Sequence, residues 1–182
     1  MLACSAAFAT GAMKTLDKPV PITGFTLTDQ YDNPFGIDNL KGKWSMIFIG
    51  FTSCPDVCPT VLANLEAVRA DMGLRMRPDT VPNIIFLAVD PHRDRAALKE
   101  YLKYFHPDYI GITGVTREID HLTKNLGAFY RIDKRSAEDQ NYSVTHSSTV
   151  YLINPDAALV ATINPPFHPH QTGEFLIQLI RR

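Results

Sequence analysis

Cys54 and Cys58 stand four residues apart in FTSCPDVCPT (51–60), and each is followed by proline. If the chain between them coils even loosely like a helical turn, the two side chains face the same way and come within roughly 5–6 Å. That separation suits a disulfide, whose Cα atoms usually lie ~4.4–6.8 Å apart. It equally suits two thiolates gripping one metal ion. The pair falls where an apolar strand ends and a helical pattern begins, with Pro59 in the first turn and Cys58 near the N-cap. The positive end of the helix dipole is expected there to favour the thiolate, which is both nucleophile and ligand. As two small apolar residues of a core, cysteines bracketed by prolines at such a junction would be badly placed.

The elements that must position this pair can be read from hydrophobic patterning. Strands are expected at Trp44 to Phe51, Ile84 to Val89, Tyr109 to Ile112, Thr149 to Ile153 and Leu159 to Ile163. The first two are apolar almost throughout, as befits strands buried on both faces of a sheet. Helical spacing recurs through Val61, Leu62, Leu65, Val68 and Met72, with Gly73 placed to end the segment. Further helices are expected over Asp94 to Phe105, Thr116 to Tyr130 (with Ile119, Leu122, Leu126 and Phe129 as its stripe) and Thr172 to Arg182. Asn154-Pro155-Asp156 reads as the turn of an antiparallel hairpin, and Phe25 to Leu27 with the DNPFG turn (32–36) reads as a small N-terminal hairpin. Strands alternating with helices predict an α/β chain of thioredoxin-like fold: a central mixed, mostly parallel sheet flanked by helices. The cysteines then lie at the carboxyl end of a central strand, where open α/β sheets bind ligands.

Bulk composition narrows the function classes. The chain of 182 residues is 45% hydrophobic and 20% charged, with formal net charge −1, which suits one globular domain. It has no basic run, which argues against nucleic acid as a partner. It also lacks an apolar stretch long enough to span a bilayer. Residues 1–19 read as an N-terminal tether or disordered segment and 20–182 as a single domain. Leu2-Ala3-Cys4 looks like the end of a bacterial lipoprotein signal, in which the cysteine is lipidated, although Met1 stands where leucine is usual. The competing expectation is a stump with an incidental thiol.

Three stretches taken together resemble one family. IGFTSCPDVCP, then VDPHRD (89–94), then YSVTHSSTVYLINPDA (142–157) are similar to the Sco (SenC/PrrC) family of copper-binding, thioredoxin-fold proteins, over about Val20 to Ile163. CPxxCP alone would be modest evidence. Joined to a Y-x-V-x-H-S element whose histidine follows the second cysteine by 88 residues (146 − 58), it is specific. The resemblance implies that Cys54, Cys58 and His146 bind copper. Two soft thiolates and an imidazole suit Cu(I), and with a further donor the same set accommodates Cu(II). Zinc is the rival metal for such a set. Thioredoxins carry a cis-proline facing the cysteine pair, just before the strand that follows His146 here, and no proline occurs between Arg131 and Asn154. A metal site is therefore favoured over a reductase, with redox activity of the same pair left open.

The remaining candidates carry less. The resemblance makes Asp90 a residue standing behind the ligands or docking a partner, the alternative being a simple cap of the turn into the next helix. In many relatives a small polar residue follows the RD pair, where this chain has Arg95. Tyr142 is a packing residue that could orient the His146 loop, and Asp56 is expected to be exposed. His92 lies at the site edge; His106 and His121 read as surface residues. His168 and His170 have H-x-H spacing that could hold a second copper, but read better as solvated loop histidines. The function implied is a copper metallochaperone delivering copper to the dinuclear centre of a cytochrome c oxidase subunit, with another copper chaperone as a conceivable donor. The alternative is a thiol:disulfide oxidoreductase that keeps the acceptor's cysteines reduced, or a redox or copper sensor; a peroxidase-like relative is a weaker third. The implied location is the periplasmic side of a bacterial inner membrane, reached through the N-terminal anchor alone, by way of Cys4.

Overall fold

A computed structural model describes residues 12–136, 139 and 142–181. Cys4 and the proposed lipid site lie outside them. The centre of the fold is strand β4 (Ser45–Gly50), buried at every position as its sequence SMIFIG requires. It pairs in parallel with β5 (Asn83–Ala88), which pairs in parallel with β6 (Ile110–Thr113). On its other side β4 pairs antiparallel with β9 (Val150–Ile153), then β10 (Ala158–Ile163), then β1 (Met13–Pro21). At the far edge, β6 pairs antiparallel with β2 (Thr26–Asp29), which forms the expected N-terminal hairpin with β3 (Pro34–Gly36). The order is β1-β10-β9-β4-β5-β6-β2-β3.

The sheet is thus mixed and thioredoxin-like as expected, but not mostly parallel. Parallel pairing is confined to β4–β5–β6, and each flank carries a hairpin, β9–β10 on one side and β2–β3 on the other, whose short turn can only join antiparallel strands. In the β9–β10 turn Asn154 Oδ1 accepts the N–H of Asp156 and Ala158, and Ala157 takes the left-handed conformation. In the β2–β3 turn Asp29 Oδ1 accepts the N–H of Tyr31 and Asn33. The span expected as tether also needs correction. Residues 13–19 belong to β1, an edge strand that MKTLDKPVP, with neither an apolar run nor strict alternation, does not announce.

Among the described residues, four α-helices flank the sheet. Helix α1 (Val57–Gly73) buries Cys58, Val61, Leu62, Leu65, Val68 and Met72, and it packs against α4 (Pro169–Ile180). Helix α2 (Pro91–Lys103) lies on β5 and β6. Helices α2 and α4 begin three residues earlier than the apolar stripe suggests, each with proline as its first residue. Helix α3 (Thr116–Leu126) stops four residues short of the expected Tyr130. Gly127, at φ 64, adopts the left-handed cap that ends it. Phe129, expected on its buried stripe, is 52% exposed. The chain then enters a pair that the sequence reading missed: β7 (Tyr130–Asp133) and β8 (Ser143–His146) form a separate two-stranded antiparallel sheet. His146, expected in a loop, is the last residue of that second strand. No helix among the described residues is long and apolar enough to cross a membrane.

Candidate metal centre

Two structural excursions bring the three donors together. Strand β4 ends at Gly50 and the chain turns through Phe51–Cys54, closed by the Cys54 N–H donating to the Phe51 carbonyl at 3.2 Å. Helix α1 then starts at Val57, which puts Cys58 in its first turn and points the Cys58 side chain under the sheet. From the other direction, β8 carries His146 back over the same strand end. Among the described residues, Cys54, Cys58 and His146 form the one His/Cys/Asp/Glu cluster with metal-ligand geometry, their Sγ, Sγ and ring nitrogen all within 4.8 Å of one another.

The hydrogen bonds fix which atoms face inward. His146 Nδ1 lies 3.0 Å from the Ser147 carbonyl, which can only accept, so Nδ1 carries the proton of the neutral ring. That leaves the Nε2 lone pair facing Cys58 Sγ at 3.3 Å. Burial holds the imidazole below its ordinary pKa, so the ring is neutral and Nε2 is free to ligate. Phe48 and Phe51 meet the ring edge-on, with centroids at 6.0 and 5.8 Å. Metal-binding histidines are commonly oriented in this way, through a partner on the other nitrogen.

The two thiols are unlike. Cys58 is fully buried, and burial drives its pKa up. The expectation that the helix dipole favours its thiolate therefore fails in the metal-free chain: desolvation outweighs the dipole, and a metal would have to displace the Cys58 proton. Cys54 is half-buried and its Sγ accepts the Cys58 N–H at 3.4 Å, so the helix start serves the outer sulfur. Gly50 makes room for the inner one. A Cβ at position 50 would come within 2.7 Å of Cys58 Sγ. Cys54 and His146 border a cleft of about 540 Å³ lined also by Phe51, Asp56, Arg93 and Tyr142 among others.

Tyr142 lines this cleft and is hydrogen-bonded to Asp90. Asp90 is 2% exposed, and both its carboxylate oxygens accept the Tyr142 hydroxyl at 2.8 Å. It stands at the N-cap position of α2, but its side chain does not cap the helix. Asp94 does, by accepting the Asp90 N–H at 3.0 Å. Arg93, which nothing in its residue type singled out, pairs with Asp90 and stacks on Tyr142. Its only signal was a place in VDPHRD. His92 and Asp56 are exposed, and Arg95 reaches only to Asp32, at 4.0 Å.

The other histidines do other work. His106 is partly buried, its ring nitrogens 2.9 and 3.2 Å from an Arg69 guanidinium nitrogen. His121 Nε2 meets the Thr23 hydroxyl at 2.7 Å. His170 Nδ1 lies 3.2 Å from Asp71, and His168 precedes α4, so the H-x-H pair does not converge as a second site.

Comparison with known proteins agrees with this geometry. The SCO1/SenC family model matches residues 14–181. A SCO2-like protein of Rickettsia conorii is 38% identical over 168 residues, covering 91% of this chain and 80% of its own length. A putative copper-binding protein of Stutzerimonas stutzeri is 36% identical over 141 residues, covering 77% and 67%. The crystal structure of yeast Sco1 with copper bound superposes with a TM-score of 0.81 at 30% identity, covering 90% of each chain. With a family match running from the first strand to the end of the last helix, this chain belongs to the SCO1/SenC family.

Proposed function

We propose that this chain is a copper carrier, in which Cys54, Cys58 and His146 hold the ion and yield it to the copper-centre subunit of a cytochrome c oxidase. The observation that carries the reading is the inward-facing set of two thiols and an imidazole lone pair within 4.8 Å. Such a donor set is soft enough for Cu(I) and can hold Cu(II) once a further donor completes it. The copper named or bound in the relatives supports the same cargo. The half-exposed Cys54 and the His146 edge face the cleft while Cys58 lies behind them, so an incoming ligand would displace the outer donors first.

The membrane-side placement belongs to the same proposal. Met13 pairs with Ile163, Ile163 with Val150 and Val150 with Phe48, so β1 begins at the sheet edge where β4 leads into the cysteine turn. A lipid anchor at Cys4, on the periplasmic side of a bacterial inner membrane, would leave the domain at the site's own edge.

The test is copper loading of the reduced chain. Wild type should gain an intense thiolate-to-Cu(II) absorption, and His146→Ala should lose or shift it while keeping most of its Cu(I) affinity. An unchanged Cu(II) spectrum in His146→Ala would sink the three-donor site. A second reading, disulfide reduction of an acceptor, rests on the pair of free thiols four residues apart. Its mark would be acceptor reduction by the copper-free chain that leaves a Cys54–Cys58 disulfide, the two thiols losing two electrons and two protons.

A further inference from the structure

His146 is not carried by the main sheet. Among the described residues its strand, β8, has β7 as its sole ladder partner, and that pair forms a sheet of its own. The cysteine turn, by contrast, grows directly out of β4. Metal sites need their donors held to within a fraction of an ångström, so something must tie these two segments together.

We infer that the first turn of α2, Pro91 to Asp94 with its N-cap Asp90, is the bracket that sets the imidazole against the thiols, and that Arg93 and Asp94 are its positioning residues. Asp94 grips the thiol side. It is fully buried, and its Oδ1 accepts both the N–H and the hydroxyl of Thr52 at 2.7 Å, two residues before Cys54. Its Oδ2 accepts the Asp90 N–H, which closes the helix start onto the same carboxylate. Arg93 grips the imidazole side. Its guanidinium lies over the Tyr142 ring at 3.7 Å and also faces Phe51 at 5.7 Å. Nη1 donates to the Tyr142 carbonyl at 3.2 Å, and Nε donates to Asp90, whose carboxylate takes the Tyr142 hydroxyl. Tyr142 immediately precedes β8, four residues before His146.

The chain of contacts is therefore continuous from Cys54 through Thr52, Asp94, Arg93 with Asp90, and Tyr142 to His146. Neither Arg93 nor Asp94 lies among the donors. Each acts through a residue two or four positions from one. Arginine is suited to this place because one planar fork can hold a carboxylate and a carbonyl while its face stacks on two rings, which lysine cannot do. Burial makes the bracket stiff: Asp90 and Asp94 are 2% and 0% exposed, where hydrogen bonds exchange poorly with water.

The inference rests on the copper reading for its consequence but not for its test. In the metal-free chain, amide hydrogen exchange across 142–147 should speed by at least roughly tenfold in Arg93→Lys and in Tyr142→Phe, with β4 and β5 unchanged. Equal protection in both variants overturns the bracket whether or not the chain binds copper. Tyr142→Phe keeps the stacked ring and loses only the hydroxyl bond to Asp90, so it serves if the arginine variant does not fold. With copper alone as the probe, Arg93→Lys should lose roughly 10–100-fold in Cu(II) affinity, the range expected for an outer partner of a ligand. Its Cu(I) affinity should stay within a few-fold of wild type. A loss equal for both oxidation states would show that Arg93 supports the fold generally and would refute a positioning role. If wild type itself takes up no copper while exchange responds as stated, the copper reading fails and the bracket stands.

Discussion

The thiol half and the imidazole half of the centre are built in opposite ways. Cys58 lies beneath a strand in which all six residues are buried, and it has the first turn of a 17-residue helix to itself. His146 ends a four-residue strand with alternating exposed and buried positions, in a two-stranded sheet outside the main one. The sulfurs are thus fixed by the core, whereas the segment that leads into the imidazole's strand is tied to α2 by a few side chains, through Tyr142. A site made this way has a permanent side and a releasable side. In the proposed carrier role, the inner thiol would keep its place while the outer donors are exchanged.

The comparison breaks most completely at the inner thiol. Cys58→Ser should cost more than about a hundredfold in affinity for both copper oxidation states, beyond the roughly 10–100-fold that losing an outer partner brings. Competition with a chromophoric chelator measures it. Retention of Cu(I) affinity would place the permanent donor elsewhere.

A smaller change probes the same half without removing a ligand. Gly50→Ala would set a methyl 2.7 Å from Cys58 Sγ and 2.6 Å from Phe86 Cε2. Overpacking of this kind costs about 1–3 kcal/mol. Denaturant unfolding should show that loss, together with faster alkylation of Cys58 as its sulfur is displaced. Wild-type stability and thiol reactivity would mean that the sulfur is not seated against β4.

The smallest effect lies at the seam between α1, which carries Cys58, and α4. Partial burial works against ionisation of Asp71, but His170 and Arg75 together outweigh it and hold the carboxyl below its usual value. A depressed carboxyl pKa contributes stability above the unfolded value, and that contribution disappears as pH falls through the folded value. Asp71→Asn should therefore lower stability at neutral pH by less than about 1 kcal/mol, the range for a partly exposed ion pair. The difference from wild type should vanish in acid, and copper affinity should not change. A loss that persists below the carboxylate range would assign Asp71 a packing role instead.

Where the residues themselves carry the constraint, the sequence reading and the structure coincide. SMIFIG must be a central strand because it is apolar almost throughout, and a cysteine pair after it falls at a strand's carboxyl end whatever the rest of the topology. Asn154-Pro155-Asp156 announces its hairpin through side-chain and backbone chemistry confined to a few residues. The thiol half of the centre was therefore legible, and the imidazole half was legible only by resemblance. YRID and SVTH are too short and too polar to declare themselves as strands, and Phe129 completes a helical stripe that Gly127 has already ended.

What the sequence alone determined is the cysteine pair, the α/β class and the strand-to-helix junction that holds the pair, since each depends on residue type and local period. Tertiary structure alone decided that the sheet is antiparallel on both flanks and that β1 joins it, because strand order is set by which edges meet. It also decided that Cys58 is desolvated enough to keep its proton and that His146 turns Nε2 toward it. The contacts of Arg93 and Asp94 likewise arise only in three dimensions. They join segments separated by 42 and 49 residues, and no local pattern can report a bond between chains of atoms that only folding brings together.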